Sequence, residues 1–183
     1  AGKAALSVSN YDVGIDVELI DKMIEVCSPD WLADSDVGPS TDNKTPIFIV
    51  GLPRTGTTLT ERILSCHSML ESVGESYFIQ IAIKEASRIS SHEHMTAAMV
   101  EAAASKDIQR IAKGYTNAIK YRFGDKPFYI EKFPENFLYL GFIAKAFPNA
   151  KIIHLNRNPM DSCFAMFKQS FFRYAYSLDD LGP

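Results

Sequence analysis

The chain has 183 residues, 46% hydrophobic and 22% charged, with a formal net charge of -3 at pH 7. That length supports one domain with a proper core rather than two. The charge balance leaves no basic excess to neutralise a nucleic-acid backbone, and no stretch approaches the roughly 20 apolar residues that cross a bilayer.

The N-terminal stretch AGKAALSVSNYDV lacks the charged start and continuous apolar core of a signal peptide, and it has no methionine. Next, IDVELIDKMIEVC (15–27) places Ile15, Leu19, Ile20, Met23 and Ile24 at helical spacing. The polar connector SDVGPSTDNKTP (35–46) reads as a surface loop, so residues 1–45 form an N-terminal helix and linker. PIFIVG is a buried-strand pattern; a glycine-rich turn follows, then TTLTERILSCH with Leu59, Ile63 and Leu64 on one helical face. Residues 77–123 read as mostly helical.

Strand character returns at PFYIEKF (127–133), and NFLYLGFIAKAF (136–147) is a helix with Phe137, Leu140, Ile143, Ala144 and Phe147 aligned. AKIIHLN is a second buried-strand pattern, followed by the turn RNP and the helix DSCFAMFKQSFF. The end, FFRYAYSLDDLGP, stops without a closing element, so the chain is expected to be a piece of a longer protein, incomplete at its C-terminus. The three cysteines, Cys27, Cys66 and Cys163, fit neither a disulfide framework nor a metal spacing, and a reducing, cytoplasmic compartment is the expectation.

Strands alternating with helices predict an α/β fold with a central, mainly parallel sheet flanked by helices in three layers. Ligands of such sheets sit beyond the carboxyl ends of the strands. Two candidate phosphate-binding turns, after PIFIV and after AKIIHLN, both fall there.

The first turn, GLPRTGTT (51–58), has the outline of a phosphate-binding loop, with Gly51 and Gly56 letting the backbone approach an anion. Thr57 stands where such loops carry their lysine, and the cation has moved back to Arg54. A rigid fork of donors thus replaces a compact point charge. The acidic strand end that would hold magnesium is missing too: the strands end in Gly51 and in Asn156 and Arg157. A metal-bound triphosphate is therefore not the expected ligand.

PIFIVGLPRTGTTLTERILSCHS resembles the 5′-phosphosulfate loop of sulfotransferases that use 3′-phosphoadenosine 5′-phosphosulfate (PAPS). IEKFPENFLYLGFIAKAFPNAKIIHLNRNPMDSCFAMFKQ (130–169) resembles the later half of the same pattern. The likeness covers roughly residues 46–76 and 129–181, and it is nearest to the bacterial tetratricopeptide-linked and tyrosylprotein branches. It implies that residues 46–183 form a P-loop-type sulfotransferase domain. That domain would move a sulfuryl group from PAPS to a hydroxyl or amine without metal, leaving adenosine 3′,5′-bisphosphate.

By this resemblance Arg54 stabilises charge on the departing 5′-phosphate, and Thr55, Gly56, Thr57 and Thr58 cradle it. Arg157, in RNPMD, pairs with the 3′-phosphate. The family's serine eight residues later is Ala165 here; Ser162, almost one helical turn nearer, is the hydroxyl that would substitute. Glu75 is the implied general base, with Glu71 in reserve, and Lys132 is implied to approach the transferring sulfuryl group. His67 reads as a packing residue on the first helix. Pro134 and Asn136 read as shaping a turn and capping the next helix. The family's cytosolic branch has a histidine base just after its lysine; Phe133 and Pro134 occupy that place here. His92 and His94, in SSHEHM, have no further matched ligands and read as a polar loop.

Two other readings remain open from sequence: a P-loop nucleotide kinase or hydrolase, and a non-catalytic nucleotide-binding module. The partners expected are the nucleotide and an acceptor that is a small molecule, a carbohydrate or a peptide.

Overall fold

TPIFIVG forms strand β1 (Thr45–Gly51), in which every residue after Thr45 is buried. A β-branched and aromatic run buried on both faces belongs inside a parallel sheet. β1 pairs in parallel with β3 (Phe128–Lys132) on one side and with β4 (Lys151–Leu155) on the other. β2 (Leu70–Gly74) joins the outer side of β3, giving the all-parallel order β2-β3-β1-β4. This computed structural model describes residues 11–34, 44–90, 95–169, 177 and 181. His92 and His94 lie outside the described residues.

Among the described residues eight α-helices flank the sheet. They are α1 (Val13–Val26), α2 (Pro29–Ala33), α3 (Thr57–Ser65), α4 (Phe78–Ser87), α5 (Ala97–Ala104), α6 (Ile108–Ile119), α7 (Leu140–Ala146) and α8 (Pro159–Gln169). Strand alternation divides the side chains of the two central strands between two cores. Phe48, Val50 and Tyr129 join the larger one, which takes in Ile79 and Ile83 of α4 and Ile111 and Tyr115 of α6. Ile47, Ile49 and Ile130 face the other way and form a small cluster capped by Leu64 of α3. The fold is thus the expected α/β arrangement, with a thick helical layer on one face and a thinner one on the other.

Several expectations change in detail. In α1 only Leu19 and Met23 are buried, and Ile15, Ile20 and Ile24 are exposed, because a single i, i+4 pair meets α5. On α3 only Leu64 reaches the sheet, while Leu59 and Ile63 are exposed. The third strand pattern, β4, is half-exposed rather than buried, since it forms an edge of the described sheet. The expected helix 136–147 opens instead as a 3-10 turn (Pro134–Tyr139) before α7. That tighter start rotates the stripe, so Phe142 is buried and Ala144 exposed. β2 carries one fully buried residue, Val73, too weak a signal to read as a strand.

Candidate functional site

The loop after β1 is held in an unusual backbone conformation. Arg54 has φ 69° and Gly56 φ 104°, both left-handed. For a non-glycine residue that conformation costs about 1–3 kcal/mol and persists only when its surroundings enforce it. Here the Thr55 hydroxyl donates to the Leu52 carbonyl (2.7 Å), closing the loop. Arg157 donates from Nη1 to the Arg54 carbonyl (3.1 Å), holding the strained unit from the other turn. α3 then begins after Gly56 with no side chain capping it. Its first-turn N–H groups and dipole therefore face outward, a ready anion site. Among the described residues nothing lies within 4 Å of where a Gly56 Cβ would stand, so the loop leaves open space there. Thr57 is buried and Thr58 exposed.

The second turn follows β4. Asn158 caps α8, its Oδ1 accepting from the N–H of Met160 (3.0 Å). Arg157 and Asp161 form an exposed pair at 3.8 Å, which adds little stability and leaves the guanidinium accessible. On the first turn of α8 Ser162 is 1% exposed, and among the described residues its hydroxyl has no hydrogen-bond partner. Buried hydroxyls are rarely left so. Ala165, one turn on, is half-buried.

The third part is the carboxyl end of β3. Ile130 and Lys132 point toward α3, whereas Tyr129 and Glu131 point toward α6. Lys132 is nearly buried and ion-pairs with Glu75, and its Nζ lies 3.9 Å from Glu61 Oε2 on α3. The other Glu61 oxygen accepts from Ser72 Oγ (2.5 Å). β2 ends at Gly74, whose φ of 75° turns the chain across the sheet edge. Arg122 fixes that turn by donating to the carbonyls of Val73 and Glu75, both at 2.9 Å. Phe133 and Tyr77 pack edge-to-face beside the pair, centroids 4.7 Å apart.

Behind Lys132 lies a carboxyl that water does not reach. Glu131 accepts from Ser76 Oγ (2.5 Å), from the Tyr115 hydroxyl and weakly from Asn136 Nδ2 (3.5 Å). Burial raises its carboxyl to about 7, partly offset by the hydrogen bonds from Ser76, Tyr115 and Asn136. An unfolded glutamate releases its proton near 4.3. Between those two values the folded chain binds more protons than the unfolded one. Glu131 therefore makes stability fall as pH rises through this window and level off above it. Across pH 5–8 the melting temperature of the wild type is expected to fall by several degrees relative to Glu131→Gln. Parallel thermal melts read this, and curves that stay parallel count against it.

The structure brings Arg54, Thr55, Gly56, Thr57, Thr58, Arg157, Glu75 and Lys132 to the carboxyl edge of one sheet, with Ser162 on the helix that follows it. It separates Glu71, which sits near the opposite end of β2, paired with Lys44 (3.1 Å) and accepting from the Gly124 N–H. His67 is neither helical nor packed: it is exposed in the turn after α3, its Nδ1 accepting from the N–H of Met69. Asn136 serves Glu131 rather than a helix cap. Glu61, Ser76 and Glu131 were not singled out from sequence. A wheel of α3 offered one hint, since Glu61 lies four residues after Thr57 and so on the loop-facing side. Among the described residues no group of three metal-ligating side chains occurs, and no helix is long and apolar enough to cross a membrane.

A parallel α/β sheet with a glycine-rich strand–helix loop and cations at the strand ends is consistent with a P-loop-type fold. The sulfotransferase family's sequence profile matches residues 46–182, so the chain belongs to the sulfotransferase family. An uncharacterized protein of Aquifex aeolicus (strain VF5) is 32% identical over 166 residues, covering 88% of this chain. The chain spans about a fifth, 22%, of that relative's length.

Proposed function

We propose that this chain is the catalytic domain of a sulfotransferase that uses PAPS and passes its sulfuryl group to a hydroxyl or amine. The observation that carries the reading is the bond from Arg157 to the Arg54 carbonyl, which locks two anion-ready turns together at one sheet edge. A nucleotide with phosphates at both the 5′ and 3′ positions needs two such turns. The residues fit it: Gly56 faces open space, and the Ser162 hydroxyl is an unused buried donor beside the second turn.

When bound, the nucleotide would supply a sulfuryl group activated by a phosphate leaving group. Arg54 and the backbone N–H groups of 55–58 would hold the 5′-phosphate and stabilise the charge it gains. Arg157, with Ser162, would hold the 3′-phosphate. Glu75 would take the acceptor's proton as the new S–O or S–N bond forms. Lys132 would neutralise the sulfuryl oxygens during transfer. None of these roles calls on a metal ion. The P-R-T-G-T-T-L loop and Glu75 after a glycine turn favour the tetratricopeptide-linked and tyrosylprotein branches, whose acceptors would be peptides or carbohydrates. The cytosolic branch's histidine has no counterpart.

Calorimetric titration with adenosine 3′,5′-bisphosphate tests this, with ATP run with and without magnesium. Tight bisphosphate binding that ignores magnesium is expected. Arg157→Ala should weaken it at least tenfold, since a charge-assisted hydrogen bond contributes about 1.5–3 kcal/mol. Preference for magnesium-ATP would overturn the assignment in favour of a kinase or hydrolase.

A further inference from the structure

We propose that Glu131 is a positioning residue for this site: through Ser76 it fixes the turn that holds Glu75 against Lys132. The inference rests on the sulfotransferase reading for what Glu75 and Lys132 do, and on the structure alone for how they are held. Two consecutive residues of the turn grip two consecutive residues of β3. Glu75 meets Lys132 on the α3 face, and Ser76 meets Glu131 on the α6 face. The turn therefore straddles the strand end, and a strand's alternation makes one grip set the other's register.

Three features make Glu131 more than a core contact. It is 0% exposed, which is costly for a carboxyl among apolar neighbours. The groups facing it are the donors Ser76, Asn136 and the Tyr115 phenol from α6, with the Tyr129 phenol of its own strand and the Arg122 guanidinium acting electrostatically without a hydrogen bond to it. None of these is a cation in contact, so its charge is compensated mainly by hydrogen-bond dipoles, with a smaller longer-range contribution from Arg122. Finally, Asn136 Oδ1 is buried without a partner among the described residues, while its Nδ2 makes a long 3.5 Å bond to Glu131. Turning that amide over would give a protonated Glu131 an acceptor, so the same pocket suits both states.

Ionised, Glu131 accepts the Ser76 hydroxyl and holds the turn. Protonated, it has an acceptor in Asn136 and a weaker claim on Ser76. The turn bearing Glu75 should thus feel the charge of a residue that never touches substrate. The raised carboxyl value places this change near neutrality.

The test is NMR on the protein labelled with ¹³C at glutamate side-chain carboxyls and ¹⁵N at amides, titrated from pH 5 to 8.5. The expected result is one glutamate carboxyl with a midpoint near 7 that disappears in Glu131→Gln. The amide signals of Glu75, Ser76 and Tyr77 should move with the same midpoint and stay flat in that variant. Ser76→Ala should keep the Glu131 titration but uncouple residues 75 and 77 from it, and it decides the matter if Glu131→Gln does not fold. Amides of 75–77 that ignore the Glu131 midpoint, or that follow it unchanged in Ser76→Ala, overturn the proposal. Calorimetry of the wild type with adenosine 3′,5′-bisphosphate is read separately. Failure to bind there overturns the donor reading, while the coupling between Glu131 and the turn stands or falls on its own signals.

Discussion

Glu75→Gln is expected to slow sulfuryl transfer about 10²–10⁴-fold, the usual contribution of a positioned general base. Affinity for adenosine 3′,5′-bisphosphate should change by less than about twofold, because Glu75 lies on the β2–β3 side of the sheet while both turns proposed to hold phosphate follow β1 and β4. Glutamine keeps the shape of the side chain, and its carbonyl oxygen can still accept from Lys132. What it loses is a place for the acceptor's proton. Glu61 is the competing base, since its Oε2 is only 3.9 Å from Lys132 Nζ. It is more enclosed than Glu75, however, with side-chain exposures of 14% against 53%, and its other oxygen already holds Ser72. Steady-state rates of Glu75→Gln and Glu61→Gln with a phenolic acceptor separate the two. A larger loss in Glu61→Gln than in Glu75→Gln would transfer the role to Glu61.

The placement of the two turns proposed to hold phosphate was legible in the sequence because its signals are local. A β-branched run followed by two glycines and a cation predicts a strand, a turn and a candidate anion cradle without any tertiary information. Lys132 was legible for a related reason: it ends a strand pattern, and strand carboxyl ends converge in a parallel sheet. The supporting carboxylates were not. Glu131 sits between Ile130 and Lys132 in what reads as ordinary alternation. Its partners Ser76 and Tyr115 are 55 and 16 residues away, on elements whose packing no local pattern encodes. Glu61 and Ser72, eleven residues apart, likewise meet only because α3 folds back along β2.

The misread apolar stripes have a common cause. Periodicity reports which residues share a face, not whether another layer lies over that face. Leu59, Ile63 and Ile152 are patterned like core residues, yet among the described residues they are exposed, where little covers the α3 face and β4 is an edge of the described sheet.

Gly51→Ala should damage the fold and the site together, with a loss of roughly 2–5 kcal/mol from backbone strain and overpacking. Gly51 ends β1 at φ 144°, a region side-chain-bearing residues avoid. A Cβ there would lie 2.4 Å from the carbonyl oxygen of Leu155 and 3.3 Å from Thr55 Oγ1. Neither neighbour yields cheaply. Leu155 is the register partner of Gly51 in the β1–β4 pairing, and Thr55 closes the loop after β1. Relief means prying apart the ends of the two strands that carry the two anion turns, which would also strain the Arg157–Arg54 bond between them. Gly114→Ala is the control: on α6 its Cβ would make only ordinary contacts, with the Ala82 Cβ at 3.4 Å, the Ala82 Cα at 3.8 Å and Glu85 Oε2 at 3.9 Å, and alanine is the better helix former. A chain of this size melts about 2–4 °C lower per kcal/mol lost. Circular dichroism melts should therefore place Gly51→Ala roughly 5–15 °C below the wild type and Gly114→Ala level with it or above. At a temperature where Gly51→Ala remains folded, its bisphosphate affinity should still be at least about tenfold weaker, a loss of roughly 1.4 kcal/mol in binding. A variant that melts low but binds normally would show that the strand ends can separate without disturbing the turns. The two anion sites would then be independent rather than one rigid cradle.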